Sequence, residues 1–259
     1  MSGGEGGASV SGELCLEARG LSTGYGALRV LWDVDLTVAR GSATVLLGAN
    51  GAGKTTLLRA LIGLRPLWAG SISYEGHAIE RWSPERRIAA GVSYVSEMGI
   101  FGGLSVEDNL RVVATGLSRS TMRGQLERTY AQFPLLRERR REPAGALSGG
   151  QRKLLGLAKG LMRSPQLLLM DEPSAGLSPL AVSEMVTTLA QVVADGSVTL
   201  LLAEQNAQVL ELATTVTILG GGRVSFSGPV GEFRSTADVA EQFFGLAHPP
   251  ASTITPEGE

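Results

Sequence analysis

The chain has 259 residues, of which 43% are hydrophobic and 19% charged, and its formal net charge at pH 7 is −2. This length is enough for one large α/β domain, with or without an insertion, and the acidic balance argues against a nucleic-acid-binding surface. A single cysteine, Cys15, excludes an intramolecular disulfide and fits a reducing compartment. No apolar run approaches the roughly 18 residues of a membrane span, and residues 1–12 lack a signal-peptide core. We therefore expect a cytoplasmic protein.

Both ends of the chain are rich in small and polar residues, so we expect flexible tails at residues 1–12 and 248–259. From residue 13 to residue 38, short runs alternate between apolar and polar residues, which is typical of strands in an antiparallel sheet. Tyr25 lies between these runs with a glycine on each side. It is either a turn tyrosine or an aromatic surface on which a purine base stacks, and the residues alone favour neither interpretation.

The most informative segment has the pattern G-x-x-x-x-G-K-[ST] and consists of Gly48, Ala49, Asn50, Gly51, Ala52, Gly53, Lys54, Thr55 and Thr56. It follows a strand-like apolar run and precedes a helical pattern, which favours a phosphate-binding loop over a chance match in a glycine-rich chain. Glycines let backbone N–H groups point at an anion, and the helix start adds partial positive charge. We predict that Lys54 reaches the β- and γ-phosphates and that Thr55 ligates Mg²⁺.

The next part of the chain changes from mixed to helical character. A strand and turn are predicted at residues 70–76, a short helix at 84–90 and a strand at 91–96 that leads into Glu97. From residue 98 to residue 162 apolar residues fall at helical spacing, which predicts a helical insertion inside an α/β core. Four arginines cluster within residues 137–141. This cluster is either a solvated face, which is the commoner case, or a docking surface.

A strong helical pattern begins after Ser148-Gly149-Gly150-Gln151. Ser148 is the predicted N-cap. Glycines at a helix start expose N–H groups to an outside anion, so this segment is a possible second phosphate contact. Taken alone, a glycine turn that only caps the helix is the commoner explanation.

Residues 167–170 form a continuous apolar run that ends in Asp171 and Glu172. Such a run suits a central parallel strand, and ligands bind at the carboxyl ends of these strands. We predict that Asp171 serves Mg²⁺ and that Glu172 acts as a general base or orients water; the alternative is a solvated pair of acids. The remaining predicted elements are a helix at 180–193, a strand at 198–203, a helix at 206–212, and a hairpin at 215–227.

The order of these segments resembles that of the ATP-binding subunits of ABC transporters. A phosphate loop, Glu97, Leu-Ser-Gly-Gly-Gln at 147–151 and Asp-Glu-Pro-Ser at 171–174 follow one another, and the resemblance covers residues 14–246. A finer resemblance, to the shorter ATPase type of branched-chain amino-acid transporters, rests on residues 25–26, 31–34, 48–54, 106–110, 133–134, 171–179 and 203–207. Urea-type transporter ATPases are similar.

The resemblance implies a P-loop NTPase fold with a RecA-like α/β core, an antiparallel β subdomain and an inserted α-helical subdomain. The nucleotide-binding core with its β subdomain would comprise residues 13–97 and 163–247, and the helical signature subdomain residues 98–162. The substrate would be ATP with Mg²⁺: Tyr25 would stack on adenine and Glu172 would polarise the attacking water. Residues 148–151 would contact ATP bound to a partner ATPase, so that two subunits close head to tail around two ATP molecules.

Three positions depart from the usual pattern of this family. Glu97 stands where most members have a glutamine that ligates Mg²⁺; a carboxylate still ligates Mg²⁺ but adds negative charge beside the γ-phosphate. Gln205 replaces a switch histidine, and it can donate a hydrogen bond to the γ-phosphate but cannot carry a proton, so we expect a slow basal turnover. Ser178 occupies the place of an aspartate that usually links the two sites.

The resemblance therefore predicts the ATPase subunit of an importer for branched-chain or related amino acids. It would lie on the inner face of the plasma membrane, held by two permease subunits, with a second ATPase subunit beside it and a solute-binding protein outside; no nucleic acid is expected. A urea- or amide-type importer is the alternative. A soluble ABC ATPase of DNA repair or translation is an alternative from another class, but the chain has one phosphate loop and no sustained heptads. A small-molecule kinase with the same phosphate loop is a third alternative, but the segment at 147–151 has no role in such an enzyme.

Overall fold

A computed structural model of the protein describes residues 13–96, 99–194 and 196–235. The expected tails at 1–12 and 248–259 and the candidate metal ligand Glu97 lie outside the described residues. Among the helices of the described ranges, none is long and apolar enough to cross a membrane.

The described part of the chain contains two sheets and a set of helices. Its strands are β1 (Leu14–Tyr25), β2 (Leu28–Ala39), β3 (Ala43–Leu47), β4 (Ala69–Tyr74), β5 (His77–Ala78), β6 (Val92–Val95), β7 (Leu167–Asp171), β8 (Thr199–Glu204), β9 (Thr215–Gly220) and β10 (Arg223–Pro229). Its α-helices are α1 (Lys54–Leu61), α2 (Pro84–Ala89), α3 (Val106–Val113), α4 (Arg119–Gln132), α5 (Pro134–Glu138), α6 (Gly149–Leu161), α7 (Pro179–Ala194) and α8 (Val230–Ser235).

The larger sheet has the order β10-β9-β3-β8-β7-β6, with parallel pairing throughout except between β9 and β10. Every residue of β3, β7 and β8 is buried, as expected for central parallel strands covered on both faces. In β7, Leu168 and Met170 face one hydrophobic core, and Leu167 and Leu169 face the other. This alternation follows from the two-residue period of a strand, and it places the sheet between two layers.

The smaller sheet is antiparallel, with the order β2-β1-β4-β5. Its apolar side chains share one core with α1 and one face of the larger sheet. The opposite face packs against the helices between β6 and β7 and against α7. The predicted fold class, an α/β core with an antiparallel sheet and an inserted set of helices, is therefore what the structure has.

One predicted element differs in kind. The α-helix predicted at residues 206–212 is a 3₁₀ helix, Ala207–Glu211. Its backbone bonds join residues three apart, as from the Leu212 N–H to the Val209 carbonyl at 3.1 Å. The Asn206 side chain accepts from the Gln208 N–H at 2.9 Å, and this local bond favours a tight turn over a regular helix.

Candidate functional site

The phosphate-loop segment connects the end of β3 to the start of α1, at the carboxyl edge of the larger sheet. Two of its glycines are required by the packing. A Cβ at Gly48 would lie 2.4 Å from the Leu219 carbonyl oxygen, and Gly53, with φ of 108°, would place a Cβ 2.7 Å from Leu31 Cδ2. Helix α1 begins at Lys54, so its first N–H groups have no acceptor within the helix and are available to an anion.

Lys54 is buried, with 3% of its side chain exposed, and its ammonium group is turned back onto its own loop. The Nζ atom donates to the carbonyls of Gly48 at 2.7 Å and Ala49 at 3.2 Å. It also lies 2.9 Å from Glu172 Oε1. The loop and the strand-end carboxylate, 118 positions apart in the sequence, therefore form one ion pair.

Asp171 ends β7 and accepts two hydroxyl hydrogen bonds. Thr55 Oγ1 donates to Oδ1 at 3.1 Å and the Tyr94 hydroxyl donates to Oδ2 at 3.1 Å. Burial raises the pKa of Asp171, although both hydrogen bonds oppose that shift. Burial, reinforced by the Asp171 charge, raises the pKa of Tyr94 to about 12, so the tyrosine stays a donor at neutral pH. The sequence analysis did not identify Tyr94. Its position near the end of β6, the strand next to β7, could have indicated that it lies at the same edge of the sheet as Asp171.

The oxygens of Thr55 and Asp171 fit the hard donor set that Mg²⁺ requires. Across the described ranges no group of three His, Cys, Asp or Glu side chains could hold a metal by itself. A cation at this edge would therefore take its remaining ligands from water and from phosphate oxygens.

Glu172 and Gln205 also come together. The Gln205 amide donates to Glu172 Oε1 at 3.2 Å and to Asn50 Oδ1 at 2.7 Å, so it bridges the strand-end acid and the phosphate loop. Glu172 has φ of 46°, a left-handed conformation that a non-glycine residue adopts at a cost and that is frequent at functional sites. Glu204, which sequence reasoning also missed, accepts from the N–H groups of Ser174 at 2.7 Å and Gln205 at 3.0 Å. This buried carboxylate joins the two turns that carry Glu172 and Gln205.

Residues 148–151 form the start of α6 and a capping box. The Gln151 N–H donates to Ser148 Oγ at 3.2 Å, and the Ser148 N–H donates to Gln151 Oε1 at 3.0 Å. The predicted N-cap is therefore correct. Ser148 and Gly149 are exposed. No hydrogen bond or ion pair within the described chain joins residues 148–151 to the phosphate loop, but Lys153 on the same helix donates to the Glu172 carbonyl at 3.4 Å.

Tyr25 lies close to the same loop, at the end of β1. The guanidinium of Arg65 is 3.9 Å from the centre of its ring, and Arg59 Nη1 donates to its hydroxyl at 3.5 Å. A hydrogen bond with Thr56, the last residue of the loop motif, is the main cause that lowers the pKa of Tyr25. Tyr25 is 36% exposed, so an aromatic residue borders the phosphate loop.

A cavity of about 600 Å³ lies between the sheet edge and the start of α6. Its lining includes Ser96, Gly99, Gly149, Lys153 and Asp171. The described neighbours of Glu97 thus line the same space as Asp171.

Residues 31–175 match the model of the ABC transporter family. The chain belongs to that family. A probable branched-chain amino acid transport ATP-binding protein of Archaeoglobus fulgidus is 35% identical over 82% of this chain and 91% of its own length. A high-affinity branched-chain amino acid transport ATP-binding protein of Pseudomonas aeruginosa is 37% identical over 79% of this chain and 88% of its own.

Solved structures of ABC proteins share the fold. A nucleotide-free ATP-binding cassette from an ABC transporter superposes with a TM-score of 0.79 at 22% identity, covering 90% of this chain and all of its own. The ATP-binding subunit of another ABC transporter gives 0.73 at 29% identity, covering 87% and 94%. The expected P-loop NTPase fold is confirmed, and this ABC protein is an ATP-binding transporter subunit that hydrolyses ATP.

Proposed function

We propose that this ABC subunit drives an importer of branched-chain amino acids from the cytoplasmic face of the membrane. Two relatives at 35% and 37% identity carry that name, and the finer sequence resemblance points to the same group. The solute would pass through the permeases and never contact this chain. The proposal for the solute therefore rests on kinship, whereas the proposal for the ATPase chemistry rests on the site.

The observation that carries the ATPase proposal is the ion pair between Lys54 and Glu172 at 2.9 Å. Lys54 would bind the β- and γ-phosphates, and negatively charged phosphate oxygens would compete with the carboxylate for the same ammonium group. Binding of ATP would then release Glu172 beside the γ-phosphate, where its Oε1 can accept a hydrogen bond from the attacking water. ATP binding would thus free the general base, because Lys54 would exchange the Glu172 carboxylate for the phosphate oxygens.

The other predicted residues take supporting roles. The N–H groups of the loop at residues 48–56 would surround the phosphates, and Tyr25 would stack on adenine with the face of its ring that Arg65 leaves free. Gln205, which already donates to Asn50 and Glu172, would turn one of its N–H bonds to the γ-phosphate. As an amide it would hold the water and the phosphate without moving a proton.

Mg²⁺ would be held by Thr55, Asp171 and Glu97 together with phosphate oxygens, and it would supply positive charge that neutralises the triphosphate. Tyr94 would keep the Asp171 carboxylate oriented through its hydrogen bond.

The exposed start of α6 supports a second ATPase subunit as partner. Ser148 and Gln151 form a capping box, and the N–H groups of Gly149 and Gly150 have no acceptor within the helix. A γ-phosphate held by Lys54 of one subunit could be closed on its other side by this helix start from the partner. Two permease subunits, and through them an extracytoplasmic solute-binding protein, complete the proposed assembly; a nucleic-acid partner is not part of it.

Uptake of labelled leucine, isoleucine and valine tests the importer in cells from which the gene has been deleted. Uptake should be lost, wild-type protein should restore it, and Glu172→Gln should not. Unchanged uptake of all three amino acids with loss of urea uptake would instead favour a urea-type importer. Co-sedimentation of the protein with DNA or ribosomes, without permeases in the membrane-extracted complex, would favour the soluble class.

A further inference from the structure

A second concave site lies among the helices and shares no residue with the proposed ATP site. It has a volume of about 610 Å³, and its charged lining residues are Arg111, Arg119, Arg123, Arg137, Arg140, Glu107 and Glu127. Five guanidinium groups against two carboxylates give this lining a formal charge of +3, in a chain whose net charge is −2. We call it the arginine pocket. Two of its arginines, at 137 and 140, belong to the cluster seen in the sequence.

The carboxylates of the arginine pocket are already engaged. Glu107 pairs with Arg111, accepts from the Tyr130 hydroxyl at 3.3 Å and lies 4.0 Å from Arg140. Glu127 lies 3.2 Å from Arg137. The two pocket arginines on α4, Arg119 and Arg123, have no carboxylate within 4.0 Å among the described residues. Positive charge in the pocket is therefore left without an internal partner.

The placement of these two arginines conflicts with the rules of helix stability. Arg119 is the first residue of α4 and Arg123 follows one turn later on the same face. The first turn of α4 contains no acidic residue, although the positive end of a helix favours acids there. Like charges four residues apart also repel. Departures from local stability rules of this kind concentrate at functional sites.

The floor of the pocket is apolar, with Leu126 at 7% and Tyr130 at 5% exposure. Guanidinium groups above a partly desolvated floor match phosphate, because each planar fork can donate two parallel hydrogen bonds to phosphate oxygens. We infer that the arginine pocket binds a phosphate-bearing anion, either a soluble phosphorylated compound or the headgroup of an anionic phospholipid. The site goes beyond the proposed transport function, since it needs neither the ATP site nor the transported solute.

Titration with inorganic pyrophosphate tests the soluble source. The full chain is first saturated with ADP, which keeps the phosphate loop occupied, and pyrophosphate binding is then measured by calorimetry. Binding should be saturable, and the Arg119→Gln/Arg123→Gln double variant should bind about tenfold more weakly or worse, as expected for lost charge-assisted bonds. Arg128→Gln, an exposed arginine of α4 outside this pocket, is the matched control and should bind as the wild type does.

Flotation with vesicles tests the lipid source. Phosphatidylcholine vesicles with and without phosphatidylglycerol are compared for the same three proteins, and phosphatidylglycerol-dependent flotation should disappear only in the double variant. If the double variant alone loses binding to pyrophosphate, to the vesicles or to both, the result supports the pocket and identifies the source of the phosphate group. If the wild type binds neither probe, or if the double variant binds both as well as the control, the inference is wrong. Unchanged ADP affinity in all three proteins shows that the fold and the proposed ATP site are intact.

Discussion

Helices α1 and α6 both have glycine at or directly before their first residue, and they differ in what their starts contact. Helix α1 begins inside the chain: Lys54 is buried and bonded to Gly48, Ala49 and Glu172. Helix α6 begins at the surface, where the side chains of Ser148 and Gln151 each accept from the other's backbone N–H. The start of α1 is therefore bonded to the candidate site of its own chain. The start of α6 forms a complete cap, and within the described residues it has no hydrogen bond to the phosphate loop.

This difference explains why one chain would hold only half of the proposed catalytic arrangement. The groups proposed to bind phosphate, a cation and water lie together at the carboxyl edge of the sheet. In the proposed assembly, the second helix start would act on a phosphate presented by another subunit. Variants at the carboxyl edge and at the start of α6 should therefore fail in different ways.

Glu172→Gln should have the largest effect on turnover. An amide cannot accept a proton from water, so hydrolysis should fall by about 10²–10⁴-fold, the usual contribution of a general base. ATP binding should persist because Lys54 is then released from its carboxylate partner. Phosphate release and nucleotide affinity, measured in parallel, check this. Glu184→Gln, at an exposed position on α7, should behave as the wild type, and equal turnover in both variants would assign the water to another residue.

Lys54→Ala should weaken ATP binding by roughly 10–100-fold, the cost of losing a charge-assisted hydrogen bond to phosphate. Lys153→Ala provides the contrast on α6. Within the described residues, the Lys153 ammonium group hydrogen-bonds only to the Glu172 backbone carbonyl, so the isolated chain should keep its ATP affinity without it. Equilibrium titration with a fluorescent ATP analogue measures the affinity of both variants. An equal loss of affinity in Lys54→Ala and Lys153→Ala would contradict the different roles of the two helix starts.

Gly149→Asp should lower turnover by about tenfold or more while leaving ATP binding to a single chain unchanged. A Cβ at this position meets no atom within 4 Å, and an acid in the first turn of a helix favours the fold. The new carboxylate would repel the γ-phosphate of the partner's ATP. Gly149→Ala, which adds bulk without charge, should retain most of the activity. Normal turnover in Gly149→Asp would argue against a phosphate contact by α6.

Asp171→Asn should give the smallest effect, a gain in stability without nucleotide. Burial raises the pKa of Asp171 above that of an unfolded aspartate, so stability is lost as the pH rises through the unfolded value of about 3.9 towards the folded one. The variant does not lose this stability, so its Tm at pH 7 should exceed that of the wild type.

The same pair of proteins provides an internal control. The difference in Tm between Asp171→Asn and the wild type should shrink as the pH falls through the folded pKa to below about 3.9, because the wild-type carboxylate then becomes protonated in both states. A difference that does not change with pH would mean that packing, and not charge, separates the two proteins.

The fold and most of the candidate site were predictable because their signals are local. Strand runs ending in Asp171, the glycine loop before α1 and the cap Ser148 each lie within a few consecutive residues, where period and residue type decide the structure. The segment at 206–212 was predicted as an α-helix and is a 3₁₀ helix, because one side-chain bond from Asn206 outweighs a short apolar pattern.

The sequence by itself thus determined the α/β class, the family and the residue types at the proposed site. Only the tertiary structure decided that Lys54 pairs with Glu172, that Tyr94 and Glu204 support the carboxyl edge, and that α3, α4 and α5 enclose an arginine pocket. Sheet order and helix packing bring residues far apart in the sequence into contact, and no local pattern encodes that juxtaposition.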